Sequence, residues 1–176
     1  MTQPQPSITG ATAPDLLDQL AGIQPGSMLA ELRARRPDVV RYTQGSYDVL
    51  LAPADPAGVS LAERALIALR VALLNESAPL VTHYRQRLAE LGAPAALGES
   101  VEQFPVGATL SPRESAILRH VDLLTNEPRA ATQAHMADLL ANNLSAHDIV
   151  TIAQLITFLS FQVRLFVGLQ LLGEAI

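Results

Sequence analysis

Residues 145–172 constrain this chain more than any other segment. They open with Ser-Ala-His-Asp, placing Asp148 three residues after Ser145 as a capping box requires. Apolar side chains then fall on nearly every helical face. Ile149, Ile152, Ile156, Leu159 and Val163 lie on one, and Leu155, Phe158, Leu165 and Leu169 on another. A helix apolar all round is expected to be buried on all sides. In a chain of 176 residues it must lie between other helices or at a subunit interface, so a homo-oligomer is expected, a dimer at least. Residues 149–163 carry no formal charge, but Gln154, Gln162 and then Arg164 interrupt them. The stretch therefore reads as too short and too polar for a membrane span.

The rest of the composition agrees with helices. Hydrophobic residues make up 49% of the chain and aromatics only 4%, so the core must be built from Leu, Ala, Ile and Val. All twelve basic residues are arginine and the net charge is −5, which leaves no basic patch for nucleic acid. Without lysine there is neither Schiff-base chemistry nor a P-loop, and no G-x-G-x-x-G supports a dinucleotide site. Arginine without lysine, beside abundant Ala and Leu, suggests a bacterial gene of high GC content. Zero cysteines exclude disulfides, thiolate ligands and thiol nucleophiles together. The opening residues have no apolar core of a signal peptide, so a cytoplasmic protein is expected.

One domain is expected over residues 1–176, with residues 1–12 a loose tail. A short helix is expected near Pro14 with Thr12 as cap, another over 28–35, and a longer one over 38–51 with Val40, Tyr47, Val49 and Leu51 as apolar positions. Beyond Ser60 the chain repeats at an offset of 51 residues, over 60–92 and 111–143. Ser60 meets Ser111, Glu63 meets Glu114, Asn75 meets Asn126 and Leu88 meets Leu139. Each copy opens with S-x-x-E, runs through an apolar helix into Asn-Glu, and returns along a more polar helix. Residues 93–110, rich in Pro and Gly, read as the joint.

The run Asn75-Glu-Ser-Ala-Pro-Leu-Val-Thr-His-Tyr84, with Gly92 closing its helix, resembles the redox hairpin of the carboxymuconolactone decarboxylase and AhpD-like superfamily. Leu110-Ser-Pro-Arg-Glu-Ser-Ala-Ile-Leu and the closing helix with Phe161, Gln162, Arg164 and Gly168 are similar to its peroxidase-related branch. The resemblance covers residues 39–176 and is closest to the cysteine-less CMD domain proteins. It implies an all-α fold with a duplicated antiparallel hairpin and a long buried last helix. Peroxidase members carry C-x-x-C-x-x-x-H at this point. Ser77 and Leu80 fall on the cysteine positions, Tyr84 on the histidine and Ala65 on the acidic residue. A one-residue shift brings His83 onto the histidine position but places Glu76 and Pro79 at the cysteines. Thiol–disulfide exchange is thus lost in either register.

Several side chains remain candidates for chemistry. His83 and Tyr84 form a pair able to move protons near neutral pH, with Arg85 beside them as a ligand contact. The plainer alternative is a core tyrosine next to a solvated histidine bordered by Arg87 and Glu90. Glu63 is a candidate acid or base, and like Glu114 it also sits where a capping box needs a carboxylate. Arg70 is the charge set inside an apolar helix: either a clamp for a carboxylate ligand or half of an ion pair. His120 and His147 have no partner at ligand spacing, and His135 has only Asp138, so no metal and no cofactor is expected. Phe158 and Phe161 read as core. Three functions stay open: a non-redox small-molecule binder or degenerate enzyme, a cofactor-free acid–base enzyme like the lactone decarboxylases of the superfamily, and a partner subunit for a cysteine-bearing paralogue.

Overall fold

The computed structural model describes residues 15–175, which form nine α-helices and one 3₁₀ turn, with no strand among the described residues. Thr12, Pro14 and the 1–12 tail lie outside them. α1 (Leu16–Leu20) starts from Asp15, whose carboxylate accepts the Asp18 amide, so this acid and not Thr12 is the cap. α2 (Met28–Ala34) starts from Ser27. Arg33 ties the two together through Asp15 at 2.6 Å and Asp18 at 2.5 Å. α3 (Pro37–Leu51) begins on a proline, whose missing amide costs nothing at that position.

The core consists of α4 (Leu61–Leu74), α7 (Pro112–Asn126) and α9 (Ala146–Ala175), each entered through a serine cap. Ser60 with Glu63 and Ser111 with Glu114 form reciprocal capping boxes. Ser145 with Asp148 makes the same exchange. Arg113 gathers the three starts at one end of the bundle. Its guanidinium donates to Glu63 Oε1 at 2.6 Å, the Gly58 carbonyl at 2.6 Å and the Asn143 carbonyl at 2.5 Å. Gly58 lies so close to α9 that a Cβ would stand 2.1 Å from Asp148 Oδ1. A side chain there would have to displace that carboxylate from its cap. Burial opposes the charge on Asp148, but the Ser145 bonds and nearby Arg113 hold its carboxyl below the usual range.

From the opposite end the helices return. α5 (Ala78–Glu90) runs back along α4, and α8 (Gln133–Ala141) runs back along α7 after the turn Pro128–Ala130. α6 (Ala95–Gln103) occupies what the sequence reads as a plain joint. Val101 is fully buried and Leu97 packs on the core beside it, too few apolar positions to leave a periodic signal. Arg64, a fifth of the way along α4, is buried without a carboxylate. It donates to the carbonyls of Val59, Leu50 and Pro56 at 2.8, 2.6 and 2.9 Å, closing the α3–α4 loop.

α9 departs from expectation on one side. Ile152, Leu155, Ile156, Leu159, Val163 and Phe166 are buried against the other helices, yet Val150, Phe161 and Leu171 face out, Phe161 at 45% exposure. The expected Phe158–Phe161 core pair is therefore split: Phe158 is inside and Phe161 outside. Val49 on α3, expected among the apolar contacts, is likewise exposed. The length argument against a membrane span also fails. The helix continues to Ala175 and is long and apolar enough to cross a membrane by length and composition, with less than half of its most apolar window buried in the protein. What distinguishes it from a lipid-facing span is the packed face against α3, α4 and α7.

Candidate functional site

Ser77, Leu80, Tyr84 and Leu88 recur at helical spacing along α5 and are all buried, with Tyr84 at 1% exposure. They form the stripe that seats α5 on the core. The Tyr84 hydroxyl donates to Gln162 Oε1 of α9, which is itself buried, so a polar pair crosses the apolar interior. Burial raises the Tyr84 phenol well above its ordinary range; a nearby Tyr47 adds to this and the Gln162 bond opposes it. Ser77, at the α5 N-cap, has no capping bond, and its buried hydroxyl has no partner among the described residues.

His83 lies one residue off the buried stripe and is half-buried. Its Nε2 is 3.1 Å from the Tyr47 hydroxyl of α3, and its ring stands edge-on to Tyr84 at 4.9 Å. Burial lowers the His83 pKa, with Glu90 working against the shift and Arg87 with it. Burial raises that of Tyr47. This bridge joins α3 to α5 directly over Tyr84, and Tyr47 is the member that sequence reading missed. The only available signal was the periodicity of α3, which marked Tyr47 as apolar and said nothing about a histidine 36 residues away.

The other candidates are held apart from this pair. Arg70 is paired in a two-bond fork with Asp122 of α7, Nε to Oδ1 at 2.6 Å and Nη2 to Oδ2 at 2.7 Å. It also donates to the Val101 carbonyl at 3.1 Å and lies over the Phe104 ring. Arg85 points to the surface and binds Glu102. Glu63 gives one oxygen to Ser60 and the other to Arg113. His135 acts as the fourth member of the α8 cap through Thr132, and its expected neighbour Asp138 pairs with Arg119. His120 is buried with Nδ1 unpartnered, and burial together with His135 lowers its pKa. No group of three or more metal-ligating side chains occurs among the described residues.

Two of the clefts on the described surface are prominent. One of about 370 Å³ lies between the α1–α2 turn and the end of α9, lined by Ile23, Met28, Leu29, Leu169 and Glu174 among others. The other, an open trough of about 600 Å³, follows residues 126–130. Neither reaches His83 or Tyr84.

No protein-family model and no curated protein matches the sequence. Solved structures do. An uncharacterized peroxidase-related protein from Silicibacter sp. TM1040 superposes with a TM-score of 0.70 at 20% identity, over 78% of this chain and 71% of that one. An alkylhydroperoxidase AhpD core protein from Ralstonia eutropha JMP134, also described as uncharacterized and peroxidase-related, gives 0.69 at 20% identity over 76% and 70%. The fold is AhpD-like. On that fold the four positions that the sequence resemblance assigns to the thiol relay hold Ala65, Ser77, Leu80 and Tyr84, and all four are buried here.

Proposed function

We propose that this protein is a non-redox relative of the AhpD-like peroxidase-related proteins, a degenerate enzyme or small-molecule binder in which the thiol site has become packed core. The observation that supports this is the closure of the hairpin junction: Tyr84 is enclosed, tied to Gln162 and reached by neither cavity. A cytoplasmic, bacterial setting fits the composition. The test is turnover. Hydrogen peroxide and alkyl hydroperoxides, offered with dithiol reductants, should not be consumed above a metal-free, haem-free buffer control, because the attacking species in that chemistry is a thiolate. Consumption above the control would overturn the reading.

The Tyr47–His83 hydrogen bond favours a second reading, acid–base chemistry without a cofactor. A half-buried imidazole held by a phenol can exchange a proton with a bound lactone or similar carbonyl compound. Under this reading a lactone isomerase or decarboxylase activity would fall together in His83→Ala and Tyr47→Phe. Activity surviving in both variants would remove the pair from consideration.

A further inference from the structure

The cleft between the α1–α2 turn and the end of α9 has an interior and a rim of different chemistry. Leu29 of α2 and Leu169 of α9, both buried, line its interior, and Ile23 adds to the apolar wall. Met28, the first residue of α2, also lines it and is 59% exposed. An unbranched thioether at such a position is an adaptable cover, because it repacks on whatever it meets. At about 370 Å³ the cleft is within the ~300–1,000 Å³ range of small-molecule sites.

One end of the rim is negative. Glu174 lines it, no arginine does, and Glu174 makes no hydrogen bond or ion pair among the described residues. The 30-residue α9 finishes beside it at Ala175, so the negative end of the helix dipole falls at the same place. The positive end of α2 also borders the cleft, but that end is already answered. The Ser27 hydroxyl accepts the Ala30 amide, and Glu31 occupies the first turn. An apolar interior thus opens onto uncompensated negative charge.

We propose that this cleft binds a small monocationic amphiphile, an alkylammonium compound, with its chain on Leu29 and Leu169 and its ammonium group at Glu174. The ammonium meets a carboxylate and the unpaired carbonyls of a helix end, while the chain leaves water. A carboxylate of equal length would be repelled by the same charge. A neutral alcohol would gain the burial and forgo the electrostatic part. The cleft is separate from the closed thiol position, so this assignment stands or falls independently of peroxide turnover.

Hexylamine, hexanol and hexanoate share a chain and differ in head group, which makes them the probes. The sequence has three methionines, so methyl labelling of methionine gives few signals, and Met28→Leu identifies the one at the cleft. At about pH 7, where an alkylamine carries its proton, hexylamine should shift the Met28 methyl saturably. The methyl of Met136, packed against the core, should stay in place. Hexanol should bind about tenfold more weakly, and hexanoate more weakly still. Salt at ~1 M should remove most of the gap between amine and alcohol. Glu174→Gln, an exposed substitution, should lower hexylamine affinity about three- to fivefold and leave that for hexanol unchanged. A Cβ at Gly173 would lie 3.5 Å from Leu29 Cδ2, so Gly173→Leu suits the helix and grows into the cleft. It should abolish binding of amine and alcohol alike. Four results would overturn the proposal: a Met28 methyl that hexylamine leaves unmoved, hexanol or hexanoate binding as well as hexylamine, unchanged hexylamine affinity in Glu174→Gln, or hexylamine binding that survives Gly173→Leu.

Discussion

The hairpins α4–α5 and α7–α8 begin alike and end differently. Both enter through a serine capping box and both first helices close at an asparagine, Asn75 as the α4 cap and Asn126 as the last residue of α7. The returning helices diverge. α5 has 13 residues and buries Leu80, Tyr84 and Leu88, whereas α8 has nine and buries Leu139 alone. A 3₁₀ turn occupies the residues of the second hairpin that correspond to the start of α5. His135 stands 51 residues after Tyr84, at the equivalent place, and is exposed and committed to the cap of α8. One frame thus yields two environments. The return helix of the first hairpin places a buried hydroxyl on α9, Tyr84 on Gln162, so site chemistry in this fold depends on what the return helix is packed against and not on the hairpin alone.

The two hairpins are joined by Arg70 and Asp122, which gives the largest expected effect. Asp122→Ala leaves a guanidinium whose side chain is only 9% exposed without its carboxylate. Breaking one side of such a pair should cost about 3 kcal/mol in chemical denaturation. The double variant Arg70→Met/Asp122→Leu should recover most of that loss. A single Asp122→Ala variant as stable as wild type would show that the hairpins are not coupled through this pair.

Tyr84→Phe and His135→Ala test the divergence directly. Tyr84→Phe removes the donor to a buried Gln162 and should cost about 1–3 kcal/mol, the range for a buried polar group left unpaired. His135→Ala removes one exposed capping contact and should cost about 0.5–1 kcal/mol. Equal losses measured by urea denaturation would mean that the two positions are equivalent after all.

How much of this the sequence revealed follows from where each signal resides. Capping boxes are local, so Ser60, Ser111 and Ser145 mark the three core helices without reference to tertiary structure. The all-α fold follows from them together with the apolar periodicity. Pairings across the chain leave no local trace. Arg70 was recognisable as a buried charge in need of a partner, but Asp122 lies 52 residues away in the other hairpin. Arg64 carries no sequence signal of its burial, because its carbonyl partners have no sequence signature. The outward row of α9 mixes Val150, Phe161 and Leu171 with Gln154, Thr157 and Arg164, so its apolar members read as core although they are exposed.

The smallest effect expected is a pH dependence divided unequally between the hairpins. His83 in the first and His120 on the first helix of the second both have pKa values lowered by burial from about 6.5. Above that value the imidazole is neutral in folded and unfolded chains alike, and stability is at its full value. As pH falls below it, the unfolded chain takes up protons that the folded chain resists, so stability declines until the lowered folded pKa is reached and then levels off. Urea midpoints should therefore drop as pH falls below about 6.5. His120→Gln should remove more of this slope than His83→Gln. His120 is 4% exposed with an unpartnered Nδ1, while His83 is partly solvated and can keep its contact with Tyr47 by turning from acceptor to donor. A slope that vanishes in His83→Gln and persists in His120→Gln would invert the comparison and locate the responsive imidazole in the first hairpin, beside Tyr84.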